Sequence, residues 1–131
     1  MLAGVHHAAI IASDYEKSKH FYCDILELKV KAENFREKRN SWKLDLLLPD
    51  NTQIELFSQP AGVPPPPRVS RPEACGLRHL AFKVEDLEVT VSKLQEKGVT
   101  SLEDIRVDEY TDKRFTFLAD PDDLPLELYE M

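Results

Sequence analysis

The stretch CGLRHLAFKVED, residues 75–86, sets an imidazole, His79, among Leu77, Leu80, Ala81, Phe82 and Val84. Its apolar and β-branched content reads as a strand that runs toward a helix. A lone histidine in such a strand ordinarily finds a hydrogen-bond partner and does nothing more. This one has a counterpart. Sliding the chain by 72 residues lays HAAIIASDYE (7–16) on HLAFKVEDLE (79–88), so His7 meets His79 (79 − 7 = 72). The same shift, without a gap, lays LLLPDNTQIELF (46–57) on LADPDDLPLELY (118–129), and Glu55 meets Glu127 (127 − 55 = 72). Ala9 meets Ala81, Asp14 meets Asp86 and Pro49 meets Pro121 at that shift. Two distant segments that agree at one offset indicate an internal duplication.

Each copy reads β-α-β-β-β. In the left half, GVHHAAIIA is a strand and SDYEKSKHFYCDILE a helix, with Ser13 and Glu16 spaced as a capping box. Tyr15, Ser18, Phe21, Tyr22 and Ile25 trace one face of that helix. LKVKAENF, WKLDLLL and TQIELFS follow as strands, the last two joined by a turn at 49–51. In the right half, GLRHLAFKV is a strand and EDLEVTVSKLQEKG a helix that stops at Gly98. EDIRVDE, KRFTFLA and LPLELYE are strands, with DPDD (120–123) as the hairpin turn. Between the halves lies QPAGVPPPPRVSRPEA, residues 59–74, which holds six of the nine prolines. Proline lacks a backbone donor and fixes φ, so this stretch is expected to be an extended linker.

Composition narrows the function classes. The chain of 131 residues is 42% hydrophobic and 31% charged, enough for a core and a well-solvated surface. No apolar run approaches the roughly 20 residues that span a bilayer. The beginning, MLAGVHHAAIIASDY, has no basic leader, so the expectation is a cytoplasmic protein without membrane partners. Net charge is −7 and no basic stripe is present, which argues against nucleic acid. Cys23 and Cys75 form neither a CxxC motif nor a disulfide framework and read as reduced thiols.

The duplicated residues carry the chemistry. Each half has a histidine in its first strand and a glutamate inside its last, Glu55 in QIELF and Glu127 in PLELY. Strand side chains alternate, so a single glutamate there would simply face solvent. Four residues related by one shift point instead to a site. If first and last strands present these groups to a concave face, two imidazoles and two carboxylates make an N2O2 set suited to Zn, Ni, Co, Fe or Mn. His6 is a competitor for His7, but Arg78 occupies the matching position in the second copy, so the repeat selects His7. His20 lies in the first helix and reads as a surface residue.

The HHAAIIASD and RHLAFKVED strands, FYCDILEL, IELF and DPDDLPLELYE resemble the vicinal oxygen chelate superfamily. The likeness covers nearly the whole chain outside the linker. It implies an α+β fold of two tandem βαβββ modules, about 4–58 and 76–131, joined by a linker at 59–75 into one domain. The modules would form a curved, eight-stranded open barrel, the glyoxalase/bleomycin resistance/dioxygenase fold. The superfamily's four metal positions map onto His7, Glu55, His79 and Glu127. The superfamily commonly has glycine where this chain has Asp123, a residue that also tolerates turns. A glutamate at Glu55 resembles glyoxalase I, the lactoylglutathione lyase, whereas methylmalonyl-CoA epimerase typically has Gln there.

The resemblance implies proton transfer next to a carbonyl through a metal-bound enediolate, with Glu127 as first choice for the proton shuttle and Glu55 opposite. One divalent ion per site is implied, Zn, Ni or Co ahead of Fe or Mn. The substrate would be a small molecule, a thiol adduct or thioester. An acyl-CoA epimerase and a module that binds or detoxifies a small molecule are the alternatives. Arg36, Trp42, Arg78, Lys113 and Arg114 are candidate substrate contacts, with Arg39, Arg71, Phe35, Tyr110 and Phe115 behind them. Halves of about 60 residues rarely bury enough surface to stand alone, so a homodimer that exchanges modules is expected, as in glyoxalase I-like relatives.

Overall fold

Alternation along the strands decides which face of each sheet is hidden. In β1 (His7–Ala12), Ile10 and Ala12 are buried while His7, Ala9 and Ile11 are exposed. The computed structural model describes residues 1–131, which divide into two units, Met1–Pro67 and Arg68–Met131.

In the first unit, β1 is followed by α1 (Tyr15–His20), whose end widens into a single π turn over Phe21–Ile25. Then come β2 (Lys29–Arg36), β3 (Ser41–Leu47) and β4 (Gln53–Ser58). The sheet order is β1-β4-β3-β2, with β1 parallel to β4 and the other pairs antiparallel. One face carries Ile10, Ala12, Leu44, Leu46, Ile54 and Leu56, all buried. Ser18, Phe21 and Tyr22 are the buried residues of α1 and the π turn, as the expected helical face requires. Each such leucine or isoleucine contributes about 1.5–3 kcal/mol on burial.

The second unit repeats the plan with β5 (Leu80–Val84), α2 (Leu87–Glu96), β6 (Arg106–Val107), β7 (Arg114–Ala119) and β8 (Pro125–Glu130). Its sheet order is β5-β8-β7-β6, again with one parallel pair, β5 with β8. Leu87 and Leu94 of α2 are buried, as are Leu118, Leu126 and Leu128 of the sheet. The ladders repeat at the offset found in the sequence. Ala9 faces Glu55 and Ala81 faces Glu127; Asn34 faces Lys43 and Arg106 faces Phe115 (106 − 34 = 115 − 43 = 72).

The first strands are shorter than the sequence suggests: β1 begins at His7 rather than Gly4 and β5 at Leu80 rather than Gly76, so His79 immediately precedes its strand. Local chemistry departs from expectation at two further places. The cap of α1 is Asp14, not Ser13: its backbone is extended and its side chain accepts from the amide of Lys17 at 3.1 Å. Asp86 does the same for α2 through the amide of Val89 at 3.0 Å. A carboxylate one residue later reaches the third helical amide and takes the capping role. The expected strand 103–109 contracts to Arg106–Val107; Glu103 keeps one backbone bond, its amide donating to the Phe117 carbonyl at 2.9 Å, while its own carbonyl accepts from Thr116 Oγ1 at 2.7 Å.

The turns behave as expected. Asn51 and Asp123 occupy equivalent positions (123 − 51 = 72) and both have left-handed backbones, φ 67° and 65°. Asp120 steadies the second turn by accepting from the amides of Asp122 and Leu124, each at 2.9 Å.

Candidate metal centre

Opposite the buried face, each sheet shows its histidine and glutamate together. Residues in register share a face, so in the first unit Ala9, Glu55 and Asp45 lie side by side across β1, β4 and β3. His7, two residues before Ala9, points the same way. Its Nε2 stands 3.1 Å from Glu55 Oε2, with side-chain exposures of 40% and 10%. In the second unit His79 Nε2 stands 2.9 Å from Glu127 Oε2, at 25% and 13%. The histidines are the more exposed members of each pair; the glutamates are held down in the sheet.

What surrounds the two pairs differs. Lys43 Nζ lies 3.2 Å from Glu55 Oε1 and 2.6 Å from Asp45 Oδ1. Hydrogen bonding to Asp45 first, and to Glu55, raises the Lys43 pKa above its ordinary value, so the ammonium persists. His6 also belongs here. The strand starts at His7, so alternation does not separate the two rings, and His6 Nδ1 lies 2.9 Å from His7 Nδ1. In the second unit the positions of Lys43 and Asp45 are taken by Phe115 and Phe117 (115 − 43 = 117 − 45 = 72). Phe117 meets the His79 ring edge to face at 5.1 Å.

The chemistry of this donor set fits a small divalent cation. Ligand bonds of about 2.1 Å at tetrahedral or octahedral angles put neighbouring donor atoms roughly 3.0–3.4 Å apart. The first pair, at 3.1 Å, falls within that spacing and the second, at 2.9 Å, just below it, each with an imidazole nitrogen and a carboxylate oxygen. Within either unit the gathering stops at the pair: no three His, Cys, Asp or Glu side chains form a metal-holding group there.

The candidate substrate contacts scatter. Arg78 lines a cavity in the second unit together with His79 and Phe117, and forms a two-pronged pair with Glu73 at 3.0 and 3.1 Å. Arg36 donates to Ser41 Oγ at 2.6 Å and lies 4.6 Å from the centre of the Phe57 ring. Trp42 stacks on Tyr15 at 5.9 Å. Lys113 donates to the Met131 carbonyl at 2.9 Å, and Arg114 is tied to Glu130 and Glu88, both at 2.8 Å. Lys43, Asp45 and Phe117 were not singled out from the sequence. The signal lay in the repeat: residues on β3 and β7 that share the face of Glu55 and Glu127 sit ten and twelve residues before them.

A family model of the Glyoxalase/Bleomycin resistance protein/Dioxygenase superfamily matches residues 4–128. This chain belongs to that superfamily. It is 60% identical to the uncharacterized protein YaeR of Escherichia coli over 98% of this chain and 97% of that protein. It is 57% identical to the uncharacterized protein YwkD of Bacillus subtilis over 99% and 98% of the two chains. The crystal structure of a glyoxalase family protein from Enterococcus faecalis matches it with a TM-score of 0.87 at 47% identity, covering 98% of each chain. The superfamily contains many enzymes as well as resistance proteins that are not enzymes. The duplicated βαβββ units, each with a four-stranded sheet, are the glyoxalase fold expected from the resemblance.

Proposed function

We propose that this chain is a metal-dependent isomerase of the glyoxalase I type, a lactoylglutathione lyase-like enzyme acting on a small thiol adduct or thioester. The observation that carries the reading is the matched pair of imidazole–carboxylate half-sites, 3.1 and 2.9 Å, on equivalent faces of two duplicated sheets. Superfamily proteins often bind a divalent metal, take small molecules and form dimers, which supports the same reading. His7, Glu55, His79 and Glu127 together would hold one Zn, Ni or Co ion, with Fe or Mn as substitutes. When bound, that ion supplies Lewis-acid polarisation of the substrate oxygens.

The remaining work falls to the chain. Glu127 Oε2 takes the proton from the carbon beside the carbonyl and returns it to the adjacent carbon, so a hemithioacetal becomes a 2-hydroxyacyl thioester with no net gain or loss of atoms. Glu55 sits against the Lys43 ammonium and serves as the steadier of the two carboxylates. The two half-sites come together in a homodimer that exchanges modules. Cys23 and Cys75 are free thiols, in keeping with work in the reducing cytoplasm.

Elemental analysis tests the ligand set. About one metal ion per chain is expected in the native protein, and a small fraction of that in His7→Ala and His79→Ala. Equal metal in all three overturns the assignment. Mixing those two variants is expected to restore one site per exchanged dimer; no recovery places the site within one chain. A screen of thiol adducts and acyl-CoA thioesters, read by deuterium entering from solvent, separates isomerase from epimerase.

A further inference from the structure

The cavity beside His79 has a charge balance unlike the rest of the chain. Its volume is about 220 Å³ and it lies wholly within the second unit. Four arginines and two glutamates line it, an excess of two positive charges (4 − 2 = 2) in a chain of net −7. The pairing is uneven. Glu73 is spent on Arg78, and Glu103 on Arg106 through one contact at 3.1 Å. Arg68 donates to the carbonyls of Leu77 and Arg78 at 2.8 and 3.1 Å, which places its guanidinium without neutralising it. Arg71 makes no hydrogen bond and shares the charge of Glu73 with Arg78 only at longer range. Ser70 Oγ, on the same wall, is buried without a partner.

The cationic groups are also oriented. The Arg106 guanidinium lies 5.0 Å from the Phe115 ring centre and 5.9 Å from that of Phe117, held by the aromatic faces of β7. Planar donors that keep free N–H groups on one wall of a pocket match the oxygens of a carboxylate or phosphate. The volume falls below the roughly 300–1,000 Å³ of a complete small-molecule site, so the pocket suits one charged end of a ligand.

We infer that this pocket is an oxyanion subsite, in which Arg68, Arg71 and Arg106 with Ser70 hold the carboxylate or phosphate end of the substrate whose reacting carbon reaches Glu127. The inference rests on the proposed isomerase reading for the identity of the ligand as substrate. The pocket's charge stands without it.

Titration of the full chain with inorganic phosphate and with glutarate, by calorimetry, tests it and separates the two sources of the anion. Saturable binding of at least one of them is expected. Arg71→Ala and Arg106→Ala should each weaken it about tenfold, the effect of one lost charge-assisted bond. Lys93→Ala, on the exposed face of α2, should leave it unchanged. Both arginines are exposed, so melting temperatures confirm that the variants fold. No saturable binding, or equal weakening in Lys93→Ala, overturns the inference. Metal content measured on the same samples keeps its failure distinct from that of the isomerase reading: lost phosphate binding with normal metal strikes only the subsite, and the reverse strikes only the metal centre.

Discussion

The two half-sites share a histidine, a glutamate and a register, yet their neighbours have opposite character. Glu55 faces Lys43 and Asp45; Glu127 faces Phe117 and has His79 as its sole ion-pair partner. Duplication kept the donor atoms and let the flanking strand diverge. The Lys43 ammonium, 3.2 Å from Glu55, ties that carboxylate down, whereas the ring of Phe117 offers Glu127 no such contact. The proposed division of labour, in which Glu55 anchors and Glu127 moves the proton, makes this difference testable.

The sharpest way to break this comparison is to blunt both carboxylates. Glu127→Gln is expected to lower turnover by about 10²–10⁴-fold, the usual worth of a general base. Glu55→Gln should reduce metal content more than it reduces turnover per bound metal. Comparable rate losses per bound metal in the two variants would show that the half-sites are equivalent.

Exchanging the neighbours is the next test. Phe115→Lys puts the first unit's cation into the second, and should slow turnover about tenfold by competing for Glu127. Lys43→Met removes a cation from beside Glu55 and should tighten divalent metal binding about tenfold, or about 1.4 kcal/mol, by removing like-charge repulsion. Competition with a chromogenic chelator measures the metal affinity, and deuterium entry into substrate from solvent measures the turnover. An unchanged metal affinity in Lys43→Met would mean that Asp45, not Glu55, is the ammonium's real partner.

Acid stability separates the units by another route. In the first unit Lys19 Nζ, 2.7 Å away, and then the Tyr15 hydroxyl, at 2.5 Å, push the Glu33 pKa below its ordinary 4.5. A carboxyl depressed on folding adds stability above its unfolded pKa and loses it as pH falls through the folded one. The difference in melting temperature between the native chain and Glu33→Gln should therefore be constant near neutrality. It should shrink progressively once pH drops below about 4.5, with a total of about 1 kcal/mol for this part-exposed group. A difference that does not move with pH would assign the effect to packing.

The smallest effect is expected at the turns. Asp123→Gly relieves a left-handed backbone and should stabilise by about 0.5–1 kcal/mol. Asn51→Gly should give less, because asparagine tolerates that conformation better. Equal gains in urea unfolding would mean that the Asp120 hydrogen bonds, not backbone strain, set the stability of the second turn.

Some of this was legible in the residues. The strands, the helices and both His–Glu pairs followed from apolar alternation and from one offset of 72, because a duplicated sheet must repeat its inward and outward positions. Asp14 as the cap was visible in principle, since Asp86 matches it at the same offset and the residue after Ser13 caps as well. The short β6 was not, because its length depends on which backbone groups of 103–109 reach β7. Among the candidate substrate contacts, Arg78 lines the cavity while Arg114 is fastened to Glu88 and Glu130, a distinction that no spacing records.

By itself the sequence determined the duplicated βαβββ plan and which histidine and glutamate each copy carries. Those features rest on local periodicity and on repetition, both written along the chain. Only the tertiary structure decided what stands next to each glutamate and which arginines keep a free guanidinium. Those depend on ladder register and on competition among side chains for the same partners, and such contacts form between strands that lie far apart in the chain.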